Sequence, residues 1–408
     1  MSHSYMTTIG EIAEVFDGPH ATPKKLPSGP YFLSISSLDK GRLDLTKSAF
    51  LSEEDFKKWT KRVTPKEGDL LFSYETRLGE AALMPAGVRA CLGRRMGLLR
   101  FNKAKVMPEY ALYAYLSPAF QQTIKANTLT GATVDRLSIS EFPNFPIRIP
   151  PLEEQKKVAD LLGSIDKKIA LNNRINAELE GMAKTLYDYW FVQFDFPDAN
   201  GKPYKTSGGK MAYNATLKRE IPAGWAVKTL SQIADITMGQ SPAGETYNEN
   251  GIGTLFFQGS TDFGWLFPTP RQYTTSPARM AKKGDILLSV RAPVGDMNIA
   301  NADCCIGRGL AALNSKSGSD GFLFYVMKYF KQVFDRRNAE GTTFGSMTKD
   351  DLHSLQVVCP EPELLKRYDG IVSEYNKMIF TRSFENQDLI KLRDWLLPLL
   401  MNGQVTVK

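Results

Sequence analysis

Histidine and cysteine are scarce in this chain of 408 residues, which holds His3, His20 and His353 and Cys91, Cys304, Cys305 and Cys359. No C-x-x-C or H-x-x-x-H spacing occurs among them, so the ligand set of a zinc site is missing and no metal is expected. The adjacent Cys304-Cys305 pair reads as reduced, half-buried thiols rather than a redox couple. Long apolar runs are absent too. The longest candidate, Trp395 to Met401, is seven residues with Pro398 inside it, against the ~20 that a membrane span needs. The opening Met1-Ser2-His3-Ser4-Tyr5-Met6 has neither a basic nor an apolar leader region, so the expectation is a soluble, cytoplasmic chain with no signal peptide and no membrane contact.

Catalytic signatures are missing as well. There is no G-x-x-x-x-G-K-[ST] phosphate loop, since Gly208-Gly209-Lys210 lacks the upstream glycine spacing. There is no G-x-S-x-G elbow, no H-E-x-x-H, and no Asn-Pro-Pro-aromatic run to hold a flipped base. Glu154-Gln155-Lys156 has the E-x-K spacing of metal-dependent nucleases, but it stands where a long helix opens and reads as helix-start chemistry. With three scattered histidines, acid–base work would fall on carboxylates that nothing singles out. The chain reads as a binder.

What is present is an ordinary core-forming composition, 42% hydrophobic and 23% charged, at a length that suits two to three domains at ~150 residues each. It is also a duplication. Thr8-Ile9-Gly10-Glu11-Ile12-Ala13-Glu14-Val15 returns as Thr229-Leu230-Ser231-Gln232-Ile233-Ala234-Asp235-Ile236. Gly68-Asp69-Leu70-Leu71-Phe72-Ser73 returns as Gly284-Asp285-Ile286-Leu287-Leu288-Ser289, with Gly79 and Gly295 each six residues after the serine. Cys91-Leu92-Gly93-Arg94 returns as Cys305-Ile306-Gly307-Arg308, and Thr130-Gly131-Ala132-Thr133 as Glu340-Gly341-Thr342-Thr343. The offset falls from 221 to 216, 214 and 210, as small loop deletions in one copy would make it do.

Both copies close alike. Phe145 to Ile149 and Leu355 to Cys359 alternate like short strands, and prolines followed by acids then start a helix. In the first helix the apolar seam is Val158, Leu162, Ile165, Ile169, Leu179, Met182, Leu186 and Tyr189. In the second, 210 residues on, it is Tyr368, Val372, Tyr375, Ile379, Leu389, Leu392, Leu396 and Leu399. Each seam has one polar break in the same phase, at Asn172, Asn173 and Asn176 and at Arg382, Ser383 and Asn386. Three-four spacing sustained this long is coiled-coil-like, and polar seam residues fix register at some cost in stability. A Gly/Pro/Ser-rich stretch after Asp195 reads as a linker, and Asn402-Gly403 as the second helix's stop.

The net charge of +7 divides unevenly: +5 in residues 1–150, −1 in 151–194, +3 in 195–359 and 0 in 360–408. Basic globular parts with neutral helices suit a polyanion and protein partners respectively; a chance distribution of a small excess is the alternative.

At this point a family resemblance is visible. Gly131-Ala132-Thr133-Val134-Asp135-Arg136-Leu137, then Phe145-Pro146-Ile147-Arg148-Ile149-Pro150-Pro151-Leu152-Glu153-Glu154-Gln155-Lys156-Lys157-Val158-Ala159-Asp160-Leu161-Leu162 and Ile165-Asp166-Lys167-Lys168-Ile169, resemble the conserved-region signature of specificity subunits of type I restriction-modification systems. The second copy departs from it, with Cys359-Pro360-Glu361-Pro362-Glu363 and Gly345-Ser346-Met347 at the matching places.

The resemblance implies an α+β chain of two similar globular α/β target-recognition domains, separated by two long antiparallel coiled-coil helices and related by a pseudo-two-fold repeat. The expected domains are 1–150 and 196–359 (linker 196–220) for recognition, with helical regions 151–195 and 360–408. It implies a non-catalytic subunit that reads a bipartite target in double-stranded DNA, one domain per half-site, with the helices as spacer. Two methylation subunits would dock on the helical regions and carry restriction/motor subunits; S-adenosylmethionine, ATP and Mg²⁺ would belong to those partners and no cofactor to this chain.

The candidate DNA contacts are Lys61, Arg62, Arg77, Arg94, Arg95 and Arg136 in the first copy and Arg271, Arg279, Arg291 and Arg308 in the second. Residues repeated in both copies, such as Arg94 and Arg308 or the Gly131 and Gly341 loops, cannot tell two half-sites apart and suit fold or phosphate roles. Unshared arginines suit base reading. The helix seam is expected from Val158, Leu162, Ile165, Ile169, Leu179, Leu186, Val372, Ile379, Leu389 and Leu396. A stand-alone nuclease or methyltransferase and a scaffold without nucleic acid are the competing readings.

Overall fold

The computed structural model describes residues 5–130, 134–339 and 346–407. The chain forms two compact units, Met1–Leu171 with Glu385–Lys408, and Asn172–Phe384. The Gly131 and Gly341 loops and Gly345 lie outside the described residues.

In the first unit the main sheet has four antiparallel strands. In chain order the elements are β1 (Ala13–Asp17), β2 (Leu26–Phe32), β3 (Leu70–Ser73), β4 (Ala81–Leu83), β5 (Ala90–Cys91), β6 (Met96–Phe101) and helix α1 (Pro108–Leu116). The sheet order is β1-β6-β3-β4, while β2 pairs with β5 in parallel. Every residue of β3 is buried, as a strand covered on both faces must be. Its alternation divides two cores: Leu70 and Phe72 join the aromatic cluster around α1, with Phe72 stacked on Phe142 at 4.7 Å, while Leu71 faces Leu33, Leu38 and Leu98. A strand pair of Tyr5–Thr8 and Pro146–Ile149 closes the unit.

The second unit repeats this plan. Its strands are β7 (Ala234–Met238), β8 (Thr254–Phe257), β9 (Ile286–Ser289), β10 (Met297–Ile299), β11 (Cys304–Ile306) and β12 (Leu310–Ser315), followed by the helix Asp320–Ala339. The sheet order is β7-β12-β9-β10, β8 runs parallel to β11, and Ala226–Thr229 pairs with Gln356–Cys359. Again the central strand divides two cores, Ile286 and Leu288 on one face and Leu287 on the other.

The helices are α2 (Leu152–Tyr187), α3 (Asp320–Ala339) and α4 (Pro362–Met401). Their 36, 20 and 40 residues make α2 and α4 about 54 and 60 Å long at 1.5 Å per residue. Each of these two contributes one half to each unit. Within the first unit Arg393 of α4 holds Asp166 of α2 at 3.0 Å, and Lys168 pairs with Glu385 at 3.3 Å. Within the second, Asn176 donates to Ser383 at 3.3 Å and Tyr368 to the Ala183 carbonyl at 3.5 Å. Partner numbers fall as α2 numbers rise, so the paired halves run antiparallel.

The seam differs in part from the sequence expectation. Val158, Leu162, Ile165, Ile169, Leu179, Val372 and Ile379 are buried, and Leu186, Leu389 and Leu396 are half-buried. Met182 and Leu392, however, are 52% and 43% exposed, and Tyr189 also faces out. After Leu179 the buried positions step by four to Ala183 and Tyr187, which turns Met182 outward; in α4 Arg393 takes the inner place beside Leu392. The polar break is partly inside: Asn172, Asn176, Ser383 and Asn386 are buried while Asn173 is exposed.

Two further differences concern local structure. The stretch read as a linker is folded: Asp195 accepts from the Thr206 amide at 2.7 Å, Phe196 stacks between Tyr204 and Trp225, and Met211–Asn214 pairs with Arg219–Pro222. Cys304 and Cys305 are fully buried rather than half-buried, and burial pushes the Cys91 and Cys304 thiols up to about 12. The second helix stops where the sequence placed it: α4 runs through Pro398 to Met401, and Gly403, at φ +69°, places its amide on the Leu400 carbonyl.

Two outcomes follow. Asp166→Ala strands the Tyr113 hydroxyl, which donates to Asp166 at 2.6 Å, and removes one of the two carboxylates on Arg393, leaving Asp394 at 2.8 Å; a urea titration should show a loss of about 2 kcal/mol. Iodoacetamide at pH 8 should leave Cys91 and Cys304 unlabelled in the native protein and label them after unfolding, because only the thiolate reacts.

Candidate nucleic-acid interface

The repeated Cys-(Leu/Ile)-Gly-Arg run owes its shape to two glycines that touch. A side chain on Gly18 would bring its Cβ to 2.5 Å from the Gly93 carbonyl, and one on Gly239 to 2.1 Å from the Gly307 carbonyl. The Gly18 amide donates to Met96 at 2.8 Å and the Gly239 amide to Leu310 at 2.9 Å. Only glycine fits at such approaches. The run is thereby fixed at the end of β5 in one unit and β11 in the other, and the next residue, Arg94 or Arg308, projects into solvent.

Among the ten cations expected to meet DNA, four are held by carboxylates. Arg62 pairs with Asp17 and Arg77 with Glu80 at 3.2 Å. Arg95 pairs with Glu75 at 2.8 Å and Arg271 with Asp262 at 2.7 Å and Glu249 at 3.5 Å. The Asp262 and Glu249 contacts keep the Arg271 guanidinium firmly charged, which describes a strut across its own loop as well as it describes a reader. The other six, Lys61, Arg94, Arg136, Arg279, Arg291 and Arg308, are exposed and have no carboxylate within ion-pair distance among the described residues.

The structure gathers some of these. Lys61 and Arg62 follow the helix Glu53–Trp59 and line a concavity of about 360 Å³ with His20, Lys58 and Trp59. Arg291 and Arg308 line one of about 470 Å³ with Gln258, Ser260, Ser289 and Asp296. Arg77 and Arg95 are tied to neighbours on β3 and its turn, whereas Arg279 stands apart at the start of a short strand, Met280–Ala281. Arg95 adopts φ +69°, a left-handed conformation that costs a non-glycine residue of order 1 kcal/mol and recurs at binding sites.

Sequence reading missed two side chains here. Glu75 carries no motif, yet it is the carboxylate that fixes Arg95. Gln155 in the helix-opening run is fully buried; its side chain accepts from the Met107 amide at 2.8 Å and donates to the carbonyls of Lys105 and Pro150 at 2.9 and 2.8 Å, bolting α2 to its unit. No periodicity could have marked it. Among the described residues no group of three His, Cys, Asp or Glu side chains could hold a metal ion, and no helix is long and apolar enough to cross a membrane.

Comparison with known proteins adds four findings. The type I restriction modification DNA specificity domain matches residues 3–181 and again 222–367. A Methanocaldococcus jannaschii protein provisionally assigned as the MjaX type I restriction enzyme specificity subunit is 31% identical, over 98% of this chain and 96% of its own. The HindI specificity subunit of Haemophilus influenzae is 22% identical over 83% of this chain and 87% of its own. In fold, the chain is similar to the crystal structure of a type I restriction-modification S subunit from M. genitalium, with a TM-score of 0.58, 16% identity, and 98% and 96% of the two chains covered.

If Arg94 and Arg308 meet phosphate, Arg94→Ala and Arg308→Ala should each weaken duplex binding evenly across sequences. Each should also lower the slope of log affinity against log salt by about 0.9.

Proposed function

The chain belongs to the type I restriction-modification DNA specificity family, and from that premise we propose that its two units read the two halves of one split DNA target. As a specificity subunit it recognises a DNA target with two domains. The finer reading is that residues 1–150 and 196–359 are the recognition domains and that the helical regions 151–195 and 360–408, which hold α2 and α4, form an antiparallel coiled-coil spacer between half-sites. The observation that carries it is the duplication in three dimensions: one sheet order, one glycine contact and one projecting arginine, in each of two units on one chain.

A pseudo-two-fold chain of this kind serves a pseudo-palindromic arrangement of half-sites, and the gap between them is then set by the helices. Residues 1–150 and 195–359 carry +5 and +3, against −1 and 0 on the two helical regions, so the excess positive charge lies where phosphate neutralisation is needed. On this reading the subunit is cytoplasmic and does no chemistry of its own. Two methylation subunits dock on the helical regions and bring restriction/motor subunits with them, and those partners supply the S-adenosylmethionine, ATP and Mg²⁺ chemistry.

Mapping modified bases in a host genome with and without this chain tests the proposal. A modified motif of two short specific blocks around a fixed gap, lost when the chain is removed, is the expected result. A contiguous motif, or modification that persists without the chain, would refute it.

A further inference from the structure

Glu75 and Arg291 occupy the same place in the two units. Each lies two residues beyond a buried serine ending the central strand, and that serine's hydroxyl donates to its carbonyl: Ser73 to Glu75 at 2.6 Å and Ser289 to Arg291 at 2.8 Å. The preceding amides, Tyr74 and Val290, donate to Arg95 at 3.2 Å and Gly309 at 2.9 Å. Each then makes an isolated antiparallel bridge, Glu75 to Arg136 and Arg291 to Ser346. The backbone frame is shared, and the side-chain charge is reversed.

The surroundings differ to match. In the first unit Arg95 reaches Glu75, and both side chains are mostly covered, at 33% and 22% exposure. In the second the counterpart of Arg95 is Gly309, where a Cβ would lie 2.7 Å from the Gln258 carbonyl, so no side chain is admitted. Arg291 is left on the wall of the 470 Å³ concavity, and the one carboxylate there among the described residues, Asp296, is held by Lys331 at 3.0 Å.

We propose that this position determines specificity in opposite senses. Arg291 reads the O6/N7 acceptor edge of a guanine in the half-site of the second unit, and Glu75, braced by Arg95, takes the exocyclic amine of a cytosine or adenine in the half-site of the first. An arginine fork offers paired donors to guanine, whereas a carboxylate accepts from an amine and repels the guanine edge. One frame can thus recognise two different half-sites through a single exchanged residue. The inference rests on the reading that the units contact DNA bases.

The test is selection of bound sequences from a duplex pool randomised in both halves, using the full chain assembled with its methylation partner, as wild type, Arg291→Lys, Arg291→Glu and Glu75→Gln. Arg291 is exposed, so its variants should fold, and a thermal melt checks that they do. Arg291→Glu should lower the preference for guanine at one position of one half by ~10- to 100-fold. Arg291→Lys should relax the same position while keeping overall affinity, since the charge remains and the fork is lost. Glu75→Gln should change one position of the other half only. If Arg291→Lys behaves as wild type and Arg291→Glu lowers affinity evenly for all sequences, Arg291 is a phosphate contact and the proposal is wrong. If the wild type itself shows no two-block preference, the underlying reading fails before any variant is compared.

Discussion

The ion pair between Asp166 and Arg393 joins residues 227 positions apart, and it ties the last segment of the chain into the first unit. That unit is discontinuous, built from Met1–Leu171 and from Glu385–Lys408 at the other end of the chain. Arg393 and Tyr113 both bind Asp166, so α1, α2 and α4 meet on one carboxylate. Arg148 adds a bond to the Met401 carbonyl at 3.0 Å, and Leu400 and Met401 pack into the same core as Val158 and Leu162. A charged group so placed gives up hydration, and its partners on α1 and α4 supply the hydrogen bonds that compensate for it.

Duplication then divides the work between frame and side chain. The frame is kept by features that tolerate no substitution, such as the contacts of Gly18 with Gly93 and of Gly239 with Gly307, and by central strands buried on both faces. The side chains that leave the frame are free to differ, because an exposed residue after a fixed turn costs the fold little. Arg94 and Arg308 are alike while Glu75 and Arg291 are opposite, which is what a protein needs if it is to grip any DNA twice and read it in two ways.

Much of this was legible in the sequence, for physical reasons that can be named. Three of the four repeated blocks fall on the central strands, the glycine-pinned turns and the entries of the units, where backbone geometry restricts the residue. The long helices showed through their three-four spacing, and the closing strands through alternation. What was not legible depends on partners distant in sequence. Met182 and Leu392 fit the apolar period but face solvent, since the period drifts and a tertiary ion pair at Arg393 decides the phase. Gln155 looked like helix-start chemistry and is a buried bracket. Counting arginines could not separate Arg95 and Arg271, held by Glu75 and Asp262, from Arg94 and Arg308; that distinction exists only once the chain is folded.

The central claim is that each unit carries its own reading and that the helices only set their separation. It is tested most directly by giving the chain two copies of one unit, replacing residues 5–150 with their counterparts 226–359, and mapping the bases its complex then modifies. The account predicts an inverted repeat of the second unit's half-site across the original gap. A motif that retained the half-site of the replaced unit, or lost both halves while the chain remained folded and bound to its partners, would contradict it.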